Sequence, residues 1–189
     1  MFLFFDTETT GLPMNYQAPV EDSNNWPRLV QLAWLLSDKN GKEISRNSLI
    51  IKPEGFIIPE EAAAVHGITT EQAIAEGIDI GEALAEFSKV LATTKILVAH
   101  NISFDEKIMG AEFFRKDIKH NLVDLPKICT MQQSTDYCQI PSEYGYKWPK
   151  LTELHQKLFN EDFADAHDAL ADVKACARCF FELIERKVI

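Results

Sequence analysis

Apolar runs in the first third of the chain predict the strands of a β-sheet. Phe2–Phe5 is a short apolar run without alternation, which is typical of a strand covered on both faces. Leu29–Leu36 and Glu43–Ile51 are two further strand candidates, and the Ser37–Gly41 segment between them contains Asn-Gly, a strong hairpin signal. We therefore expect a central first strand and a sheet that opens with antiparallel pairing.

Later segments follow the spacing of helices. Pro59–Val65 predicts a short helix that Gly67 stops. Thr69 and Gln72 form the pattern of a capping box for a second helix, which ends near Gly77. The other predicted elements are, in chain order, a helix on the stripe Ile80, Ala83, Leu84, Phe87 and Leu91, a strand at Lys95–Ala99, and helices at Ser103–Lys116, Lys150–Phe159 and Asp168 to about Lys187. Strands first, then strands separated by helices, predict a mixed α/β sheet with helices packed on it.

The composition fits one globular domain that spans residues 1–189. The hydrophobic share of 46% is enough for a substantial core, and no run approaches the roughly 18 to 20 apolar residues of a membrane-spanning helix. The N-terminal Met-Phe-Leu-Phe-Phe has neither a basic leader nor a small-residue cleavage site, so we expect a cytoplasmic protein. The net charge of -10, from 29 acidic and 19 basic residues, argues against bulk electrostatic attraction to nucleic acid, although a local site that holds cations can still bind it.

Two interpretations exist for the four cysteines, Cys129, Cys138, Cys176 and Cys179. A zinc site is one, because the last two cysteines are separated by two residues. The preferred alternative treats them as small buried hydrophobes in a reducing compartment, since Cys176 and Cys179 share a helical stripe with Leu183.

Acidic residues interrupt apolar segments, where a charge is costly unless a cation compensates it. Asp6 and Glu8 are two residues apart, so both side chains point to the same side of an extended strand. Such neighbouring carboxylates repel each other unless a divalent metal lies between them, although an acidic residue at a strand end is also a common turn former. Asp105 lies near the start of a predicted helix, where a carboxylate is favourable even without a function.

The last predicted helix carries another carboxylate on its apolar stripe. Asp172 falls between Ala169 and Cys176 on the face that should point at the sheet, so it needs a partner. Asp168 is four residues earlier and competes with it for this role, and spacing alone does not choose between them. His167 lies on the entering loop if the helix begins at about Asp168, where a wet imidazole suits a general base; a solvent-facing or capping histidine is the alternative.

The donor atoms of these residues favour hard cations. Carboxylate oxygens without a matching cysteine or histidine cluster favour Mg²⁺ or Mn²⁺ over zinc. Two such ions about 3.5 to 4 Å apart stabilise both the attacking and the leaving oxygen in phosphoryl transfer. The predicted reaction class is phosphodiester hydrolysis.

Three ordered motifs resemble the histidine-containing branch of the DEDD superfamily of 3′–5′ exonucleases, which includes the epsilon subunit of bacterial replicative polymerase, ribonuclease T and the TREX enzymes. The motifs are the Asp-x-Glu of Phe5–Gly11, the His-Asn-x-x-Phe-Asp of His100–Asp105 and the His-x-x-x-x-Asp of His167–Asp172, and Ala64–Thr69 is a fourth familiar segment. The resemblance implies an RNase H-like exonuclease fold, with a mixed five-stranded sheet, its first three strands antiparallel and helices on both faces. It also selects Asp172 as the last acidic residue of the site.

The catalytic residues that the resemblance implies are Asp6, Glu8, Asp105, His167 and Asp172. Asp6, Glu8 and Asp172 are expected to hold a first Mg²⁺ or Mn²⁺ ion. Asp6, together with Asp105 acting through water, is expected to place the second. His167 would deprotonate the attacking water, and nucleoside 5′-monophosphates would be released.

The resemblance further implies a pocket for the 3′-terminal nucleotide. Its expected lining residues are Thr7, Thr9, Leu12, His66, Asn101 and Phe104. Base stacking on apolar or aromatic side chains gives sequence-tolerant binding of about 1 to 3 kcal/mol per base, although core packing is an equal alternative for Phe104. Trp148 and Lys150 could extend the groove, but a structural tryptophan and an exposed lysine are the preferred interpretation.

The polar stretch Met14–Trp26 departs from the family pattern. It is either a surface loop or a flap over the substrate, and it is longer than the corresponding loop of the epsilon subunit, so substrate preference cannot be copied from that protein. Because the last predicted helix ends close to Ile189, we expect no polymerase-binding tail, which argues against replicative proofreading. Association with a DNA polymerase stays an open alternative.

Three functional hypotheses result. The first is a metal-dependent 3′–5′ exonuclease that acts on single-stranded 3′ ends. DNA is the expected substrate, and RNA is the next candidate. The second is an RNA-trimming exoribonuclease of the ribonuclease T kind. The third is a non-catalytic module that binds nucleic acid or a polymerase, which the intact set of five catalytic residues argues against. None of them involves a membrane.

Overall fold

Five strands form a mixed sheet in the computed structural model, which describes residues 1–163 and 167–189. The strands are β1 (Phe2–Thr9), β2 (Leu29–Ser37), β3 (Glu43–Ile50), β4 (Ile96–Ala99) and β5 (Lys127–Cys129), in the spatial order β3-β2-β1-β4-β5. β2 pairs antiparallel with both β1 and β3, whereas β4 pairs parallel with both β1 and β5. The predicted antiparallel opening and the central position of the first strand are confirmed.

Among the described residues, the helices of seven residues or more follow the predicted segments to within a few residues. The helices are α1 (Glu60–His66), α2 (Thr70–Glu76), α3 (Ile80–Leu91), α4 (Ile102–Arg115), α5 (Thr130–Gln133), α6 (Thr135–Cys138), α7 (Leu151–Phe159) and α8 (Ala169–Glu185). A two-stranded hairpin, β6 (Pro141–Ser142) and β7 (Gly145–Tyr146), lies between α6 and α7. The sequence did not locate β5, α5, α6 or this hairpin, because elements of two to four residues are too short to display a period. Within the described parts of the chain, no helix has the length and apolar character needed to cross a membrane.

Helices cover both faces of the sheet, as predicted. Phe5 belongs to the core that packs on α3 and α4. Phe4 points to the other face, where its ring centroid lies 5.3 Å from that of Phe180 on α8. Since side chains alternate along a strand, Asp6 and Glu8 share the side of Phe4 and face α8.

The second helix begins and ends near the predicted residues, but for partly different reasons. Thr69 caps it, since its hydroxyl oxygen accepts the backbone N–H of Gln72 at 3.2 Å. The side chain of Gln72 donates to Glu76 instead of completing a reciprocal capping box. Gly77 does not adopt a left-handed conformation; a Cβ at this position would lie 2.3 Å from the carbonyl oxygen of Ala73, so close backbone approach requires the glycine.

The Met14–Trp26 stretch packs on α4. Lys107 donates to the carbonyl oxygen of Ala18 at 2.7 Å, and Arg115 donates to that of Trp26 at 2.6 Å. The Trp26 side chain is buried in the core beneath the stretch. These contacts favour the interpretation as a surface loop that covers a helix.

The four cysteines are free and buried, in agreement with the preferred interpretation. Cys176 packs among apolar side chains between α8 and the sheet, and Cys179 packs between α7 and α8. Burial raises the pKa of the Cys179 thiol to about 12 and also raises the pKa of Cys176. Both thiols are therefore poor nucleophiles.

Candidate active site

Three carboxylates meet where β1 lies under the first turns of α8. Asp6 and Glu8 come from the strand and Asp172 from the helix, and each offers an oxygen atom that lies within 4.8 Å of the other two. The strand brings Asp6 and Glu8 to one side by alternation, and α8 covers that side because its apolar residues pack on the sheet. We call Asp6, Glu8 and Asp172 the carboxylate cluster.

Burial and mutual repulsion oppose ionisation of the cluster. The pKa of Asp6 is raised well above its ordinary value, mainly by burial and then by the negative charges of neighbouring carboxylates. Burial, followed by repulsion from Asp172, raises the pKa of Glu8 to about 8. Burial raises the pKa of Asp172 to about 6, although a bond from the His167 N–H works in the opposite direction. Protein atoms alone therefore do not compensate the charge of the cluster.

Asp105 approaches the cluster from the opposite face of the sheet. It is 3% exposed, and its Oδ1 accepts both the backbone N–H of Thr7, at 3.0 Å, and the Thr7 hydroxyl, at 2.7 Å. Burial raises the pKa of Asp105 to about 7, while the two bonds from Thr7 lower it. The negative charge of Asp105 is in turn the largest carboxylate contribution to the raised pKa of Asp6. One Asp105 oxygen is thus held by Thr7, which orients the carboxylate.

Asp168 and Asp172 occupy different environments. Asp168 is the N-cap of α8, and its Oδ1 accepts the backbone N–H of Ala171 at 2.9 Å. Its Oδ2 accepts a hydrogen bond from the Gln31 side chain at 3.3 Å. Asp172, one turn later, belongs to the carboxylate cluster. The geometry therefore separates two residues that sequence spacing left equivalent.

His167 lies on the loop that enters α8, with an exposed side chain and a left-handed backbone at φ 75°. Its backbone N–H donates to Oδ2 of Asp172 at 3.2 Å. This bond fixes the backbone of His167 beside the cluster and leaves the imidazole facing solvent. Residues 164–166, which lead into this loop, lie outside the described residues.

A cavity of about 460 Å³ opens beside Glu8. Five of the six residues expected to line a nucleotide pocket border it, namely Thr7, Thr9, Leu12, His66 and Phe104. Leu12 is 74% exposed, whereas Phe104 is half-buried and also packs against the core below α4. Phe104 therefore both borders the cavity and packs in the core, which were the two alternatives that the sequence left open.

His66 contributes a buried imidazole to the wall of this cavity. Its Nδ1 accepts the backbone N–H of Ile68 at 3.2 Å, so the neutral ring carries its proton on Nε2. Among the described residues Nε2 has no hydrogen-bond partner. Burial lowers the pKa of His66 despite an opposing influence of the Thr9 backbone. The ring is therefore a buried side chain of the cavity wall.

Asn101, the sixth expected pocket residue, is not among the residues that border the cavity. It precedes α4 in a left-handed conformation with φ 74°, and its Oδ1 accepts the Ser103 hydroxyl at 3.3 Å. Asparagine tolerates this backbone conformation better than most residues. Its observed contacts are those of a residue that shapes the start of α4.

His100 is a residue whose contacts the sequence did not anticipate. Its Nε2 donates to the carbonyl oxygen of Pro149 at 2.9 Å, and its Nδ1 lies 3.0 Å from the Thr130 hydroxyl. Burial lowers the pKa of His100 to about 4, so the ring is neutral at physiological pH. The bond to Pro149 holds this residue at the end of the sheet where β4 leads into α4. The neighbours of Pro149, Trp148 and Lys150, are exposed.

Comparison with protein families gives an extensive match. The RNase_T family model, described as an exonuclease, matches residues 3–180. The DNA polymerase III subunit epsilon of Treponema pallidum is 31% identical over 126 residues, which are 65% of this chain and 52% of that protein. A DNA polymerase III subunit epsilon-like protein of Rhodobacter capsulatus is 31% identical over 189 residues, which cover 97% of this chain and 23% of that protein. The chain thus spans about half, or less, of the length of these curated relatives.

Solved structures resemble the chain in fold. Escherichia coli exonuclease I in complex with a dT13 oligonucleotide superposes with a TM-score of 0.77 at 21% identity, over 97% of this chain and 40% of that chain. Exonuclease I from Methylocaldum szegediense gives a TM-score of 0.78 at 20% identity, over 98% of this chain and 40% of that chain. The fold class expected from the motifs is confirmed by this likeness and by the sheet topology.

Proposed function

Because the chain belongs to the DEDD type of 3′–5′ exonuclease family, we propose that it hydrolyses the terminal phosphodiester bond of single-stranded nucleic acid by a two-metal mechanism. The predicted enzyme class is confirmed at the level of the family. Substrate, metal identity and the roles of individual residues are parts of the proposal. We further propose that residues 1–189 form one catalytic domain, and that the protein acts in the cytoplasm.

The carboxylate cluster is the observation that carries the proposal. Three carboxylates whose oxygen atoms lie within 4.8 Å of one another repel strongly when ionised. A divalent cation removes that repulsion, and hard oxygen ligands suit Mg²⁺ or Mn²⁺. The raised pKa values of Asp6, Glu8 and Asp172 show that ionisation of these carboxylates is unfavourable unless a cation compensates their charge. The donor set therefore fits the metal that the family implies.

Each acidic residue has an assigned place in this proposal. Asp6, Glu8 and Asp172 would hold one ion. Asp6, and Asp105 acting through water, would hold the second. The ions, when bound, neutralise charge on the phosphate and make an attacking water more acidic. Thr7 supports this arrangement because its two bonds to Asp105 orient that carboxylate.

His167 is the proposed general base. Its exposed side chain stands beside the cluster, since its backbone N–H is bonded to Asp172. The imidazole takes a proton from water, the resulting hydroxide attacks the terminal phosphorus in line, and the bond from phosphorus to the 3′ oxygen breaks. The leaving 3′ oxygen receives a proton from solvent, and a nucleoside 5′-monophosphate is released.

The cavity beside Glu8 is the proposed site of the 3′-terminal nucleotide. Its wall offers apolar contact from Leu12 and Phe104. Stacking of this kind tolerates any base. Single-stranded DNA is the preferred substrate in this proposal, because exonuclease I, whose fold the chain shares, was crystallised with a dT13 oligonucleotide. Association with a polymerase, as in the epsilon relatives, stays an untested alternative.

A labelled-strand assay tests the proposal. The protein is incubated with a 5′-labelled single strand in Mg²⁺, in Mn²⁺ and in EDTA. We expect a ladder that shortens from the 3′ end with either ion and stops in EDTA. Absence of cleavage with both ions would favour the third hypothesis, a non-catalytic module.

The same assay separates DNA from RNA as the substrate. Strands of equal sequence are compared at equal concentration, and the ratio of their degradation rates is measured. A higher rate on DNA supports the first hypothesis, whereas a higher rate on RNA supports an RNA-trimming enzyme of the ribonuclease T kind.

A further inference from the structure

The buried amide of Gln31 joins the sheet to the first turn of α8. Gln31 is 5% exposed and lies on β2, directly opposite Glu8 of β1 in the strand register. Its Oε1 accepts the backbone N–H of Ala169 at 3.2 Å, and its Nε2 donates to Oδ2 of Asp168 at 3.3 Å. Both polar ends of one side chain are therefore bonded to the N-terminus of the same helix.

These bonds satisfy groups that would otherwise be costly to bury. Gln31 is the polar interruption in the apolar run Leu29–Leu36, and an amide in such a place destabilises the fold unless it is hydrogen-bonded. The first N–H groups of a helix have no partner within the helix. The Asp168 carboxylate accepts one of them, from Ala171, and Gln31 accepts another, from Ala169. The sheet thus supplies part of the cap of α8.

The first turn of α8 is the part of the helix on which the site depends. His167 precedes the cap, Asp172 lies one turn beyond it, and the two are bonded through the His167 N–H. Asp6 stands on β1, which pairs with β2 along its whole length. A movement of this turn relative to β2 would therefore change the distance from Asp172 to Asp6 and displace His167.

We propose that Gln31 is a positioning residue of the exonuclease site. It fixes the first turn of α8 against β2, so that Asp172 meets the carboxylates of β1 and His167 stands beside them. The expected effect of Gln31 on catalysis rests on the proposed function. Its expected effect on the first turn of α8, which it holds in place, does not. The two can therefore be tested separately.

Gln31→Met tests the inference with little change in shape. Methionine has the length of glutamine but neither its donor nor its acceptor, so the packing is retained and both bonds to α8 are lost. We expect kcat on a single-stranded oligonucleotide to fall by roughly 10- to 100-fold, since small misplacements of catalytic groups have effects of this size. KM should change less than about threefold, and half-saturation should need several times more Mg²⁺.

Ser48→Ala is the matched control. The Ser48 hydroxyl accepts the other N–H of the same amide, at 3.0 Å, but it belongs to β3 and not to α8. Its removal should leave kcat and the Mg²⁺ requirement within about twofold of the wild type. An equal loss of kcat in both variants would mean that Gln31 only stabilises the sheet.

Amide hydrogen exchange provides a readout that is independent of activity and of metal. In Gln31→Met the amides at the start of α8, above all that of Ala169, should exchange at least tenfold faster, while those in the middle of α8 stay unchanged. Unchanged exchange together with wild-type kcat would overturn the inference. If the wild type is inactive but the exchange difference is found, the proposed function fails and the positioning contact stands.

Gln31→Glu keeps the inference testable should the methionine variant not fold. The introduced carboxylate still accepts the Ala169 N–H, but its other oxygen faces Oδ2 of Asp168, from which it is repelled. We expect a smaller loss of kcat, about three- to tenfold, with KM unchanged. The kcat is compared with that of the wild type at rising pH, because a protonated carboxyl group could still donate to Asp168. Wild-type kcat throughout the range, including its alkaline end, would show that the contact with Asp168 has no part in positioning.

Discussion

Two regions of the molecule contain buried carboxylates, and the charged groups around these carboxylates differ. Glu112 of α4 is fully buried, and its Oε1 lies 2.9 Å from Nε of Arg28 and 2.8 Å from Nη1 of Arg115. The backbone N–H of Leu29 adds a further bond at 3.1 Å. In the carboxylate cluster, by contrast, the charges that act on Asp6 and Glu8 are those of other carboxylates. One region contains its own cations, whereas the other, in the proposed function, is completed by a cation from outside.

The difference teaches how to tell a structural charge from a functional one. A buried acid that is bonded to arginines and to a backbone N–H stabilises the connection between two elements, here the segment before β2 and α4. A buried acid surrounded by like charges destabilises the metal-free fold and gains a favourable interaction only with a ligand. Variants in the two regions should therefore separate activity from stability.

The largest effect is expected from loss of a carboxylate in the cluster. Asp6→Asn or Asp172→Asn should abolish detectable turnover and weaken Mn²⁺ binding, because each removes a ligand. The metal-free protein should at the same time become slightly more stable, since repulsion is relieved. Oligonucleotide cleavage, Mn²⁺ titration calorimetry and thermal unfolding in EDTA measure the three quantities. Near-normal cleavage in either variant would contradict the assigned role of the cluster.

Removal of the imidazole should be the next largest effect. His167→Ala should lower kcat by roughly 10²- to 10⁴-fold, which is the usual contribution of a general base. Its backbone bond to Asp172 remains, so the affinity for Mn²⁺ should be close to that of the wild type. Single-turnover kinetics and calorimetry test this pair of outcomes. A loss below about tenfold would mean that another group accepts the proton.

A substitution at Glu112 should lower the stability of the protein and leave its catalytic rate unchanged. Glu112→Ala leaves Arg28 and Arg115 without their shared acceptor, and breaking a buried pair in this way costs about 3 kcal/mol. Urea unfolding should detect that loss, while kcat of the folded fraction stays near the wild-type value. A variant with wild-type stability would show that the arginines find other partners.

The bond between Thr7 and Asp105 should have a smaller effect on the rate. Thr7→Val removes the hydroxyl that donates to Asp105 at 2.7 Å and keeps the backbone bond and the shape of the side chain. The pKa of Asp105 should rise further, because that hydroxyl lowers it. We expect kcat at neutral pH to fall about tenfold and to recover partly at higher pH. A pH profile identical to that of the wild type would contradict this role of Thr7.

The smallest expected effect is the dependence of folding stability on pH. The folded-state pKa of Glu8, about 8, lies above its ordinary value of 4.5, and that of Asp172, about 6, lies above 3.8. A raised carboxyl pKa means that the folded state binds protons more tightly than the unfolded state, so stability falls as pH rises through this window. Tm in EDTA should therefore decrease by a few degrees between pH 5 and pH 8. Mn²⁺ should raise Tm more at pH 8 than at pH 5; a pH-independent increment would contradict the sign.

The sequence alone predicted most of the fold, because its elements have long and clear periods. The stripe from Ile80 to Leu91 and the hairpin signal of Asn40-Gly41 are local, and both were found where expected. The hairpin before α7 and the strand β5 were missed, since neither is long enough to display a pattern.

The site was predictable only as a set of candidate residues. Alternation along β1 indicated that Asp6 and Glu8 share a side, but spacing left Asp168 and Asp172 equivalent. The resemblance to the family motif selected Asp172, and the structure places Asp172 in the cluster and Asp168 at the helix cap. The polar interruption at Gln31 was visible in the sequence, yet its meaning depends on contacts with residues more than 130 positions away. Long-range contacts of this kind leave no local signal.

Calorimetric titration with Mn²⁺ tests the central claim most directly. At pH 7.5 the metal-free cluster should be partly protonated, so binding should release protons, which titrations in two buffers of different ionisation enthalpy measure. We predict saturable binding with net proton release in the wild type, and loss of both in the double variant Asp6→Asn with Asp172→Asn. Binding without proton release, or binding that is unchanged in the double variant, would contradict the claim that this cluster is completed by a divalent cation.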